Sequence, residues 1–164
     1  MTPGLQPAAV GAPPLQRAGF PVYSVEASPA AGADFSQEVI GQYFERLLTV
    51  WCRIVTSADV ADREVVLQLL DAGGNVFRAC GAATTVAASS TYDYSFSVWQ
   101  PLTEFPVDTG ILVPLDPIIL PPEFSWRLHV VNVQATDALS RVRVYRERFW
   151  SDSPIPGRDY GDDE

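Results

Sequence analysis

The side chains that most often perform acid–base and nucleophilic catalysis are scarce in this sequence. His129 is the only histidine, and the two cysteines are Cys52 and Cys80. A general base that works near neutral pH is most often a histidine, so a catalytic triad would need His129 beside a serine or cysteine. The chain contains no Gly-x-Ser-x-Gly motif, and neither cysteine has a catalytic context. We therefore predict that the protein is not an enzyme and has no catalytic residues.

The same residues do not have the spacing of a metal or cofactor site. His129 alternates with apolar neighbours, which favours an outward or hydrogen-bonded structural histidine, and the cysteines favour small buried hydrophobic positions. A zinc site would have to combine residues that are scattered along the chain. We predict no metal and no cofactor. A hydrolase that uses a pair of carboxylates is the least favoured alternative, and it stays open because any two of the 20 acidic residues can meet in a fold.

Arginines near the end of the chain are the strongest candidates for binding a partner. Four of the 11 basic residues fall in one predicted strand: Arg141, Arg143, Arg146 and Arg148. They suit a stripe that contacts acidic protein partners, with a solvated strand face as the alternative. Trp150 is a further interface candidate, although a core position suits it equally. Nucleic acid is disfavoured because the net charge is −9. Strict alternation places the four arginines on both faces, which predicts either a bulge near Tyr145 or a strand that leaves the core after Val144.

Both ends of the chain differ in composition from the middle. Residues 1–37 contain six of the 14 prolines, which predicts an extended arm, and its apolar anchors Phe20, Val22 and Tyr23 suit docking on a neighbour. Deleting residues 1–37 is therefore expected to abolish assembly but to leave the domain folded. Residues 151–164 form a predicted acidic tail, in which Asp162 and Asp163 are further candidates for partner contacts.

Residues 38–150 predict an all-β domain, an antiparallel β-sandwich resembling a jelly roll. Residues 64–70 and 76–80 flank an Asp/Gly/Asn loop and predict a hairpin, and residues 92–99 alternate as in a half-buried strand. Residues 35–48 are ambiguous, because their apolar spacing suits a short helix that Gly41 weakens. Strands are predicted at residues 126–133 and 140–150. Three tryptophans are assigned to the core: Trp51, Trp99 and Trp126.

The last third of the domain carries a family resemblance. Residues 115–128 read LDPIILPPEFSWRL, and residues 133–140 read VQATDALS. An apolar step through two prolines into a strand, then a polar turn and a final strand, resembles small β-sandwich virion proteins of tailed bacteriophages. The resemblance covers residues 43–150. It implies a non-catalytic structural protein in capsid decoration, head–tail connection or a tail accessory part, whose partners are other virion subunits, with a homo-oligomer expected.

The sequence leaves one other class of function open. A β-sandwich that binds carbohydrate or a receptor would use exposed aromatic side chains such as Tyr92, Tyr94 or Trp150. The chain has no predicted secretory signal and no apolar run long enough to span a membrane, so no membrane partner is expected. The expected location is the virion, assembled in the host cytoplasm.

Overall fold

A computed structural model of the chain describes residues 19–99, 105–107 and 110–150. Within these ranges the protein is all-β, with eleven strands and no helix. None of these residues therefore belongs to a helix long and apolar enough to cross a membrane. The strands are β1 Phe20–Val25, β2 Phe35–Glu38, β3 Tyr43–Val55, β4 Glu64–Leu70, β5 Val76–Gly81, β6 Thr91–Ser97, β7 Phe105–Val107, β8 Gly110–Pro114, β9 Ile119–Leu120, β10 Ser125–Val131 and β11 Ala138–Trp150.

The strands form two sheets. The large sheet has the order β1-β11-β3-β6-β8-β7, with β9 paired to β3, and the small sheet has the order β2-β10-β4-β5. Four antiparallel pairs are nested along the chain: β4 with β5, β3 with β6, β2 with β10 and β1 with β11. Successive pairs alternate between the small sheet and the large one. The added strand β8 pairs with β6 in parallel.

One hydrophobic core joins the two sheets. Alternate residues of β3, such as Val50 and Ile54, are buried together with Leu67 of β4 and Leu128 of β10. Alternation places every second side chain on the same face of a strand, so these positions define the inner face of each sheet. Trp126 is also completely buried, which confirms its predicted place in the core.

The predicted hairpin is confirmed, because β4 and β5 pair on either side of residues 71–75. Asp71 Oδ1 accepts hydrogen bonds from the backbone N–H groups of Gly73 and Asn75, each at 2.9 Å. Gly74 has a φ of 79°, a left-handed conformation that glycine adopts without steric cost. Side-chain and backbone chemistry of the loop residues therefore fix the turn locally.

The helix considered for residues 35–48 does not form. The chain makes β2, turns at Gly41 with a φ of 80°, and continues as β3. Val39 is buried, and its backbone N–H donates to the Phe124 carbonyl at 2.8 Å. Pairing with distant strands therefore satisfies the backbone that a helix would have satisfied locally.

The domain begins earlier in the sequence than the predicted boundary at residue 38. Residues 20–25 pair with β11 in the large sheet, and residues 35–38 pair with β10 in the small sheet. Nine residues of the predicted arm are therefore built into the two sheets as edge strands. Residues 1–18 and the predicted tail, residues 151–164, lie outside the described residues.

The two cysteines are free and differ in exposure. Cys52 is completely buried and Cys80 is half-buried. Burial raises the pKa of both thiols, although Arg78 partly offsets the effect at Cys80. Because the thiolate is the reactive form, Cys52 is expected to resist alkylation in the native protein while Cys80 reacts slowly. Mass spectrometry after labelling with iodoacetamide checks this, with Cys80→Ser as the control. Labelling of Cys52 at the rate of Cys80 would contradict the packing of β3.

Candidate functional site: the outer face of the large sheet

Aromatic and arginine side chains meet on the outer face of the large sheet. Tyr23 of β1 lies opposite Tyr145 of β11, which lies opposite Thr49 of β3. In the next row, Arg143 lies opposite Trp51. These five side chains, Tyr23, Thr49, Trp51, Arg143 and Tyr145, line a shallow groove of about 240 Å³, which we call the aromatic groove.

The alternation of β3 explains why Trp51 faces outward. Val50, Cys52 and Ile54 are buried in the core, so Thr49 and Trp51 between them must lie on the opposite face. The assignment of Trp51 to the core was therefore wrong. The signal that identifies it is its place in the mixed face of the strand.

Arg143 stacks on the indole ring of Trp51. Its guanidinium carbon lies 5.1 Å from the ring centroid, within the range of a cation–π interaction. Stacking restrains a long side chain while leaving the edges of the planar guanidinium free to donate hydrogen bonds. The groove therefore presents a positioned cation beside aromatic rings.

The charges on this face leave an excess of positive charge. Arg53 is paired with Asp93 at 2.7 Å, and Arg46 is paired with Glu147. Arg143 and the exposed Arg141, in contrast, have no carboxylate partner among the described residues. In a chain whose net charge is −9, this local excess favours acidic partners over basic ones.

Trp99 extends the aromatic surface beyond the groove. Its side chain is 64% exposed, and its ring centroid lies 5.9 Å from that of Tyr145. The assignment of Trp99 to the core was therefore also wrong, because Trp99 lies in the turn after β6, outside the alternation that buries Tyr94 and Phe96. A second groove of about 400 Å³ adjoins it, lined by Arg46, Leu48, Val98, Trp99, Pro117 and Glu147.

The outer face of the small sheet has a different character. Arg127 Nε donates to Gln68 Oε1 at 2.6 Å, and His129 Nδ1 lies 2.8 Å from Asp34 Oδ2. Asp34 also accepts the backbone N–H of Val130 at 3.1 Å. The single histidine therefore has a structural hydrogen-bond partner on a polar surface. The surface that carries Trp51, Tyr23 and Tyr145 lies on the large sheet instead.

The predicted arginine stripe is divided between the two faces of β11. Arg141 and Arg143 are exposed, whereas Arg146 is only 4% exposed and faces inward. Arg146 and Arg148 both bind the completely buried Glu45, at 3.2 and 2.7 Å. Two of the four arginines are therefore held in an internal ion cluster.

That ion cluster also links β1 to β11 through side-chain contacts. Arg146 donates to Ser24 Oγ at 3.2 Å and lies 3.6 Å from Glu26 Oε1. Both partners come from β1 or the residue that follows it. The inward position of Arg146 therefore stabilises an edge strand.

The register of β11 against β3 shifts twice. One shift lies between Ser140 and Arg143, where Arg141 has a φ of 53°, and the other lies between Tyr145 and Arg146. The second shift lies at the position predicted for a bulge near Tyr145, but it leaves the alternation of β11 intact, so Arg146 stays on the inner face with Val144. The extra residue of this shift is Leu48 on the partner strand, because Tyr145 pairs with Thr49 and Arg146 with Leu47.

Three other predicted site residues meet at the end of the large sheet. Tyr43 is contacted by Phe20 and Trp150, with centroid distances of 5.9 and 4.6 Å. Arg148 lies 5.6 Å from the same ring. Phe20 and Trp150 remain substantially exposed, and Val22 is half-buried. The other two predicted residues, Asp162 and Asp163, lie outside the described residues.

Comparison with known proteins adds no identity. No model of a known protein family matches the chain, and no curated protein matches it significantly. Among the described residues, no three histidine, cysteine or acidic side chains cluster in a way that could hold a metal ion. The aromatic groove is the candidate site because Arg143 stacks on Trp51 there.

Proposed function

We propose that this chain is a non-catalytic structural protein of a phage-like virion, which assembles through protein–protein contacts made by the aromatic groove. The observation that carries the proposal is the stacking of Arg143 on Trp51 beside the paired Tyr23 and Tyr145. Trp, Tyr and Arg are the residue types that most often dominate the binding energy of protein interfaces.

The nesting of the strand pairs supports a jelly roll. A ribbon of paired strands that alternates between two sheets gives the orders β1-β11-β3-β6 and β2-β10-β4-β5, as in a jelly roll. Capsid and lectin domains both use this architecture. Since one fold hosts many functions, the virion assignment rests on this analogy together with the resemblance of residues 115–128 and 133–140.

The charge of the groove supports an acidic protein surface as the partner. The guanidinium group of Arg143 can bind a carboxylate through two parallel hydrogen bonds. The aromatic rings around it exclude water from such a contact and so strengthen it. Other virion subunits, including further copies of this chain, are the proposed partners.

The solution mass of the full chain tests this proposal. Wild-type protein is expected to form an oligomer by light scattering, and Trp51→Ser and Arg143→Ser are each expected to weaken self-association at least about tenfold, which corresponds to about 1.4 kcal/mol. Arg127→Ser, on the outer face of the small sheet, is the matched control and should not change the mass. An unchanged melting temperature would show that the variants remain folded.

Two results would contradict the proposal. A wild-type chain that is monomeric at every concentration would exclude self-assembly. Equal masses for Trp51→Ser and Arg127→Ser would exclude the aromatic groove as the surface through which the chain assembles. The virion assignment has its own test, which is immunodetection of the chain in phage-like particles purified from cells that carry the gene. Absence from such particles would overturn it.

Carbohydrate binding is a second candidate, because the exposed ring of Tyr23 lines the aromatic groove and lectins share the proposed architecture. Tyr94 cannot take part, since it is completely buried, and Tyr92 packs against the core. Arg143 already covers Trp51, the largest ring in the groove, which favours the protein partner. A glycan array without signal would dismiss this candidate.

A further inference from the structure

We propose that the aromatic groove binds the acidic segment of residues 159–164 from a second copy of this chain. The inference rests on the proposed function, because it names the partner for the same groove. The chemistry of the groove, the acidic sequence and the direction of β11 together identify this occupant.

The groove is prepared for a carboxylate. Arg143 is held against Trp51 at 5.1 Å and has no carboxylate partner among the described residues. Arg141, also exposed and without such a partner, lies two residues before it at the first bulge of β11. A side chain that is already positioned loses less conformational freedom when it binds, so the stack favours association.

Residues 159–164 have the complementary composition. They read Asp-Tyr-Gly-Asp-Asp-Glu, which is the most acidic six-residue stretch of the sequence and contains no basic residue. Four carboxylates complement the arginines, and Tyr160 supplies a ring that suits a surface formed by Tyr23 and Tyr145. The charge and the aromatic content of residues 159–164 therefore both complement the aromatic groove.

The direction of β11 favours a second copy over the same chain. The strand runs from Arg143 to Trp150, so seven residues carry the backbone about 23 Å away from the groove. A tail that returned to its own groove would have to reverse this direction. A neighbouring copy receives the segment without reversal, and such head-to-tail contacts generate rings or filaments.

A mixing experiment tests the exchange between copies. One variant lacks residues 159–164 and keeps the groove, and the other carries Arg143→Ser and keeps the acidic segment. Each alone is expected to be monomeric by light scattering, whereas an equimolar mixture is expected to form a heterodimer. Raising the salt concentration should weaken the heterodimer, because charged contacts at a surface are screened.

A synthetic peptide of residues 157–164 gives an independent measurement. It is expected to bind the truncated chain with a change in tryptophan fluorescence, and Arg143→Ser should weaken this binding at least about tenfold. A control peptide with Asn and Gln in place of the four acidic residues should not bind. Binding of both peptides with equal affinity would overturn the inference.

The remaining outcomes separate the inference from the proposed function. A truncated chain that stays assembled while Arg143→Ser is monomeric would overturn the inference and leave the groove as an interface for another surface. A monomeric wild type in which the peptide binds only the truncated chain would identify the chain's own segment as the occupant, which also overturns it. Equal masses for all variants would contradict both proposals.

Discussion

Removal of residues 1–37 is expected to unfold the domain, whereas removal of residues 1–18 is expected to leave it folded. The longer deletion takes away β1 from the large sheet and β2 from the small sheet. The shorter one keeps every described strand. This expectation replaces the one drawn from composition, in which residues 1–37 form an arm that is dispensable for folding.

The losses from the longer deletion fall on both sheets. Without β2, Trp126 loses the ring of Phe35, which lies 5.4 Å away, and β10 becomes an unpaired edge. Without β1, Arg146 loses Ser24 and Glu26, and β11 becomes an edge as well. Nine strand residues and their pairing disappear, at about 0.5–1.5 kcal/mol for each hydrogen bond, against a typical domain stability of about 5–15 kcal/mol.

Circular dichroism and urea denaturation of the two truncated chains make the comparison. The chain lacking residues 1–18 should show a cooperative transition close to that of the full chain. The chain lacking residues 1–37 should show none, and it should aggregate because long unpaired edges template association. A cooperative transition in the longer deletion would contradict the roles of β1 and β2.

Local patterns predicted the elements whose conformation is set by neighbouring residues. The hairpin around residues 71–75 followed from Asp71 and Gly74, which act within the turn itself. Strand β1 was missed because the proline-rich residues before it dominate the composition of that region. Pro21 is compatible with a strand there, since β1 is an edge strand. The nested pairing of β1 with β11 depends on residues more than a hundred positions apart.

The candidate site was predicted in part. Tyr23 and Arg143 were among the predicted binding residues, and the structure brings them together with Trp51 and Tyr145. Trp51 was misplaced because hydrophobicity suggested the core, although the alternation of β3 placed it on the mixed face. Arg146 could not be assigned from its own strand, because its buried partner Glu45 lies 101 residues away.

Two aspartate-to-asparagine substitutions, each in an arginine–aspartate pair, are expected to lower the free energy of unfolding by very different amounts. Arg63 binds Asp137 through two hydrogen bonds of 2.9 and 3.1 Å, and both side chains are almost completely buried. Arg53 binds Asp93 through two hydrogen bonds of 2.7 and 2.8 Å, but these side chains are partly exposed. The two pairs share their geometry and differ in access to water.

Asp137→Asn is expected to lower the free energy of unfolding by about 3–5 kcal/mol, because it leaves the Arg63 charge buried without a counter-ion. Arg63 also donates to the backbone carbonyls of Asp59 and Ala61, at 2.7 and 2.6 Å, so the loop before β4 should loosen. Asp93→Asn should cost far less, since water screens and replaces a surface pair. Urea denaturation of both variants provides the measurement, and equal losses would contradict the burial argument.

The acid stability of the wild type should report the same buried pair. Burial alone raises the pKa of Asp137, but hydrogen bonds from Arg63 and from the backbone N–H groups of Ser57 and Gln134 outweigh it and lower the pKa to about 2. A carboxyl with a lowered folded-state pKa stabilises the fold above its ordinary pKa of 3.8 and loses this effect as the pH falls toward 2. That loss amounts to about 2.5 kcal/mol. The stability difference between wild type and Asp137→Asn should therefore shrink between pH 5 and pH 2, and a constant difference would contradict the lowered pKa.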